Sequence, residues 1–177
     1  MAILAAAVTM VGVLCLADLL LTLGVIRRLR SHSELLAGYQ AGGSVIVGLR
    51  PGGVPGPFSA VTTDGVAVSA APGLRLAAFF ASSCPACPEQ VPAFLRYVRE
   101  NNLDRAEVLA VMTGPGTSPG YLSRLAEVAQ VCLEADQGPV ASAFLVTGFP
   151  AFFVLDGDGA VAGSGFDPSV LPALAAV

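Results

Sequence analysis

Residues 74–92 read "LRLAAFFASSCPACPEQVP": a short apolar run, three small residues, and then two cysteines with Pro85 and Ala86 between them. The run 74–80 has the length and bulk that a buried strand wants. Ala81, Ser82 and Ser83 suit the start of a helix, which is expected from near Cys84 to about Asn101. Val91, Leu95 and Val98 then fall at i, i+4 and i+7, an apolar stripe. Pro85 lies where a first-turn proline is tolerated, whereas Pro88 and Pro92 lie further in, and Pro92 is expected to kink the helix. The chain has only four cysteines. Two of them at C-x-x-C spacing admit three readings: a redox dithiol, half of a zinc site, or two buried cysteines that lie close.

At a strand-to-helix junction, Cys84 meets unpaired backbone N–H groups and the positive end of the helix dipole, and both favour a thiolate. The thiolate is the attacking species in disulfide exchange, so a depressed Cys84 pKa is expected. Cys87, one turn on and mostly covered, suits a resolving thiol. A zinc site would need a second pair of ligands. The remaining candidates are Cys15 in an apolar run, Cys132 in an expected core strand and His32, the only histidine. Cys132 reads as core packing.

Outward from this junction the chain alternates. Before it, "PFSAV" and "VAVSA" flank "TTDG", a β-hairpin following a Gly/Pro-punctuated linker. After it come a strand over 106–114, a capped helix over 118–130, the short strand "VCLEAD", and a brief helix over 141–148. A hairpin turning at "DGDG" (156–159) follows, and "DPSVLPALAAV" is expected to close as a last helix. The order β-β-β-α-β-α-β-α-β-β-α argues for an α/β domain with a central mixed sheet covered by helices on both faces. "GPGTSPG" (114–120) has the glycines of a phosphate loop but the wrong spacing, and its prolines remove N–H donors, so it reads as a plain loop. "DGDG" has too few ligands for a calcium loop.

The chain has 177 residues, enough for one ordinary domain and an appendage. Hydrophobic residues make up 54% and charged residues 12%, against roughly 25% charged in an average soluble protein. This composition points to a lipid-embedded segment. Residues 3–26 ("ILAAAVTMVGVLCLADLLLTLGVI") carry one charge and as a helix would span roughly 36 Å at ~1.5 Å per residue, enough for a hydrocarbon core of roughly 30 Å. No basic n-region precedes the run and Arg27, Arg28 and Arg30 follow it, so an uncleaved single-pass anchor is expected rather than a signal peptide. Asp18 within it reads as a protonated or snorkelling side chain, with recruitment of a partner helix as the functional alternative. The expected layout is an anchor with basic flank over 1–30, a juxtamembrane linker over 31–55 and the domain over 56–177. Net charge is −4 and all nine basic residues are arginine; with no Lys/Arg-rich face, nucleic-acid binding is set aside.

"LAAFFASSCPACPEQVPAF", followed about sixty residues on by "GFPAFFVLDGDGAV", resembles the thioredoxin-like fold, specifically the membrane-anchored TlpA-like disulfide reductases. The anchor running into "GVIRRLRSHSELL" is similar to that of the MauD-like methylamine-utilisation accessory proteins. The resemblance implies a thiol–disulfide oxidoreductase with Cys84 as nucleophile and Cys87 as resolving thiol. It implies that Pro150 is a cis-proline beside the dithiol, with Phe149 before it in contact with substrate. It implies protein clients bearing disulfides or thiols, an electron-donating dithiol protein as partner, and no cofactor. It also implies a bacterial plasma-membrane protein whose domain faces away from the cytoplasm, whereas "RRLR" directly after the span argues by the positive-inside rule for the cytoplasm. The chain departs from the family pattern where thioredoxins carry a buried acid, here Ala78, and where a tryptophan precedes the first cysteine, here Ser83. Residues 88–90 are Pro88, Glu89 and Gln90, where TlpA-like proteins tend to carry a basic residue and then a glutamate. Without the buried acid, proton transfer at Cys87 needs water or Glu89. These departures support two narrower alternatives: a MauD-like maturation factor for one client, and a low-turnover binding or metal-holding module.

Overall fold

In a computed structural model of the chain, the structure describes residues 10, 12, 47–70, 73–116 and 119–174. The expected anchor, with Cys15, Asp18 and the arginines after it, lies outside the described residues except for Met10 and Gly12, as does His32. Among the described residues no helix is long and apolar enough to cross a membrane.

Five strands form the central sheet in the order β5-β4-β3-β6-β7. They are β3 (Leu76–Ala81), β4 (Val108–Thr113), β5 (Gln130–Glu134), β6 (Ala151–Leu155) and β7 (Val161–Gly165). The pairs β3/β4 and β4/β5 are parallel, while β3/β6 and β6/β7 are antiparallel, so the sheet is mixed as expected. All six residues of β3 are buried, because side chains alternate between two covered faces. Leu76, Ala78 and Phe80 join Val91, Phe94 and Val98 of helix α1 (Cys87–Glu100) and Leu125 of helix α2 (Pro119–Ala126). Ala77 and Phe79 face the other way, onto Val140 and Ala141 of the short helix α3 (Pro139–Ala143), Phe144 and Phe153.

Each face is locked by aromatic pairs in tilted or edge-on geometry, which adds about 0.5–1.5 kcal/mol per pair beyond area burial. Phe80 meets Phe94 at 5.8 Å and Phe152 at 5.6 Å on one side. Phe79 meets Phe144 at 5.2 Å and Phe153 at 5.6 Å on the other.

The expected hairpin forms as β1 (Ser59–Val61) against β2 (Ala67–Ser69). Gly65, at φ +78°, makes the turn, and the Thr62 hydroxyl accepts from the Val66 N–H. Thr62 bridges to Cys132 and the Thr63 N–H donates to the Val131 carbonyl, so the hairpin covers part of the open edge of β5. "DGDG" also turns a hairpin: an Asp156 carboxylate oxygen accepts from the N–H groups of Asp158 and Ala160.

Three expectations are corrected. The first helical residue is Cys87, not Cys84, since residues 82–86 form turns after β3. The segment 168–174 is not a helix; a single 3-10 turn, Pro168–Val170, is followed by extended chain. Pro172 is the reason, because a proline disfavours the helical region for the residue before it, and Leu171 sits at φ −72°, ψ 149°. That extended tail is tied to α1 by the Tyr97 hydroxyl donating to the Pro172 carbonyl and the Leu174 N–H donating to Asn101. Finally, residues 47–55, expected in the linker, pack onto the sheet unit: Val47 is fully buried, and the N–H groups of Leu49 and Gly52 donate to the carbonyls of Phe144 and Val161.

Candidate active site

Strand β3 delivers the chain to the C-terminal end of the parallel strands, and the loop after it is pinned there. The Ser82 N–H donates to the Thr113 carbonyl at 2.9 Å, and the Cys84 N–H donates back to Ala81 at 3.1 Å. Gly114, at the end of β4, permits this contact: its φ is +88°, and a Cβ there would stand 2.5 Å from the Ser82 hydroxyl. Any side chain at 114 would be strained in its backbone and would push the cysteine loop away.

Cys84 and Cys87 form a disulfide with Cα atoms 5.4 Å apart. Their exposures differ as disulfide exchange requires. Cys84 is half-buried, while Cys87 is 1% exposed beneath the first turn of α1. The N-cap residue Ala86 has no side chain able to bond the free N–H groups of that turn. The Cys84 sulfur takes that place, accepting the Cys87 N–H at 3.1 Å. The relation expected between Cys84 and the helix start is therefore kept, although Cys84 stands three residues ahead of it. Pro88 falls in the first turn, where no bond is lost. Pro92 lies inside the helix and removes only the bond to the Pro88 carbonyl, and α1 continues through it to Glu100.

Phe149–Pro150 is a cis peptide bond and leads directly into β6. Ala151, the next residue, pairs with Phe79 of β3, so Phe149 and Pro150 lie at the end of the sheet that carries the cysteines. Pro150 is buried and Phe149 half-buried; Phe149 and Cys84 both pack against the core cluster that contains Cys87. All four expected site residues thus gather at one end of the sheet.

Ala78 is fully buried in the same apolar cluster as Cys87, and among the described residues the buried polar side chains are Thr62 and Thr113, neither of them an acid. Glu89 and Ser83 are exposed. Cys132 is free and buried, and it faces Phe79 and Val111 on the opposite side of the sheet from Cys87. Burial, reinforced by the Glu134 charge, pushes its pKa up to about 11, which keeps it an unreactive thiol at neutral pH. Among the described residues no cluster of three His, Cys, Asp or Glu side chains could hold a metal ion.

Two participants carry no sequence signal. Gly114 looks like any loop glycine. Tyr121 looks like one more apolar position of α2, yet it lines a cavity with Cys84, Pro88 and Met112.

No family model matches the chain, and no curated protein matches it by sequence. Among solved structures it is similar to a thio-disulfide isomerase from Thermus thermophilus, with a TM-score of 0.54 at 23% identity over 67% of this chain and 87% of that one. It is also similar to a thiol:disulfide interchange protein from a Bacteroides species, with a TM-score of 0.50 at 17% identity over 68% of this chain and 86% of that one. With the mixed five-stranded sheet, the cysteine pair leading into α1 and the cis-proline entering β6, these likenesses show that the chain has the thioredoxin-like fold.

Proposed function

We propose that the chain is a membrane-anchored thiol–disulfide oxidoreductase, working as a reductase of protein disulfides. One observation carries this reading: a disulfide joins a half-exposed cysteine, whose sulfur already accepts a backbone N–H, to a cysteine buried directly behind it. On reduction, that N–H and the start of α1 favour the Cys84 thiolate. The thiolate attacks one sulfur of a client disulfide; a Cys84–client bond forms, the client S–S bond breaks, and the electron pair leaves on the second client sulfur, which takes a proton. Cys87 then loses its proton and attacks Cys84, expelling the client as a dithiol and restoring the internal disulfide. Phe149 and Pro150 form the wall against which the client lies. A second dithiol protein returns the two electrons. The two solved structures named above bear disulfide-exchange descriptions on the same fold, which supports the reading.

The test is equilibration of the full chain in glutathione or dithiothreitol buffers, with mass-spectrometric thiol counting on the peptide holding Cys84 and Cys87. A clean two-electron couple near the thioredoxin value of about −270 mV is expected; a value near about −120 mV would make the protein an oxidant instead. If the pair never forms an internal disulfide, the enzyme reading fails. The low-turnover module is the second reading, favoured by the apolar surroundings of Cys87 at Ala78. It predicts tight stoichiometric metal binding at the two thiols and negligible turnover.

In this proposal residues 3–26 anchor the protein in the bacterial plasma membrane and the domain faces outward. The support is the apolar run and the resemblance of the anchor segment, against the opposing pull of "RRLR". Protease added to spheroplasts is expected to digest the domain; full protection would place it in the cytoplasm.

A further inference from the structure

Among the described residues, the Tyr121 hydroxyl is buried and has no hydrogen-bond partner. Its ring stands edge-on to Phe80, with centroids 5.9 Å apart, and the half-buried side chain packs against the core cluster that contains Cys87. A buried hydroxyl without a partner weakens the fold and is rare enough to require a cause. Tyr121 lines one cavity with Cys84, and the other side chains in that lining, from Ala81, Ser82, Pro88 and Met112, carry no charge. In the disulfide state the Cys84 sulfur is neutral and already accepts the Cys87 N–H. Reduction turns it into an anion with room for further donors, and it is the one group of this cavity whose charge changes during the reaction.

We propose that the Tyr121 hydroxyl donates a hydrogen bond to the Cys84 thiolate once the pair is reduced. The hydroxyl left idle in the oxidised protein is then a preplaced donor for the charge that appears at the next step. It takes no part in the electron count: two electrons still pass between the cysteine pair and the client, and the phenol keeps its proton. Burial raises the Tyr121 pKa, against a weaker opposing effect of Arg124, so the phenol remains a donor at every working pH. The donor partly offsets what Ala78 lacks by a different route, holding the thiolate of Cys84 instead of relaying the proton of Cys87.

This inference rests on the disulfide-exchange reading, and Y121F in the full chain tests it, because the substitution keeps the ring on Phe80 and removes only the oxygen. The equilibrium constant with glutathione is expected to shift about tenfold toward the disulfide, a potential ~30 mV more negative. Denaturant midpoints are expected to fall for the reduced chain and to hold or rise for the oxidised one. An unmoved potential, with equal loss of stability in both redox forms, would overturn the inference and assign the hydroxyl a purely structural partner. Should Y121F not fold, the wild-type chain still decides: reduction is expected to perturb the near-ultraviolet tyrosine spectrum, and an unchanged spectrum counts against the inference. If the wild-type pair forms no internal disulfide, the disulfide-exchange reading itself fails and takes this one with it; a clean wild-type couple that Y121F leaves in place rejects this one alone.

Discussion

Replacing Cys84 by Ser is expected to reduce disulfide turnover to the uncatalysed background, while Cys87→Ser is expected to stop the reaction one step later. The difference follows from exposure. Cys84 is the half-exposed sulfur at the cavity, and Cys87, at 1% exposure, has no path to a client. A serine hydroxyl at 84 does not ionise near neutral pH and cannot attack a disulfide. With Cys84 intact and Cys87 removed, the first bond still forms but nothing displaces the client, so a covalent Cys84–client adduct accumulates. Turnover of a protein disulfide, read beside a non-reducing gel for the adduct, checks both outcomes. Substantial turnover by Cys84→Ser, or an adduct on Cys87, would move the nucleophile away from Cys84. Both variants also lose the loop-closing disulfide, but that loop is only a few residues long and the core beneath it is continuous. The fold is therefore expected to survive, with circular dichroism as the control.

The architecture was legible where local chemistry and burial agree. The apolar run 74–80 has the length and bulk of a buried strand, and Leu76–Ala81 is that strand, buried at every position. The cysteine pair stood out by its residue type and spacing, whereas Phe149 and Pro150 entered only through the family resemblance, and the structure places all four at one end of the sheet. The closing helix does not form although its sequence carries the reason: Pro172 disfavours the helical conformation at Leu171, a signal masked by the apolar pattern around it. Residues 47–55 were read as linker because glycine and proline mark turns, yet backbone bonds to Phe144 and Val161 bind them to the domain, and no local pattern announces such long-range pairing. Gly114 and Tyr121 were invisible for the same reason. Their importance lies in what the fold sets opposite them, the Ser82 hydroxyl in one case and the cavity of Cys84 in the other.

Restoring the acid that this chain lacks is expected to be costly. Ala78→Asp places a carboxyl at a fully buried position of β3, the central strand, in the apolar cluster of Cys87, Phe94 and Phe152. The buried polar residues among those described are Thr62 and Thr113, so no buried charged residue stands ready to pair with it. Desolvation should raise the new carboxyl's pKa by roughly 3 units, and at 1.36 kcal/mol per unit the variant loses about 4 kcal/mol of stability at neutral pH. Extra volume in a packed core adds about 1–3 kcal/mol that does not depend on pH. The sign of the pH dependence follows from the direction of the shift. Below an ordinary aspartate pKa of about 3.9 the group is protonated whether folded or not, and the ionisation penalty vanishes. As pH rises, the unfolded chain ionises first and the deficit grows until the folded-state pKa is passed. Denaturant midpoints of A78D against wild type should therefore converge toward acid and diverge toward neutrality. An A78D deficit independent of pH would mean that the space beneath Cys87 is hydrated enough to solvate a carboxylate. In that case water already reaches the Cys87 thiol, and the proposed reaction needs no buried acid to remove its proton.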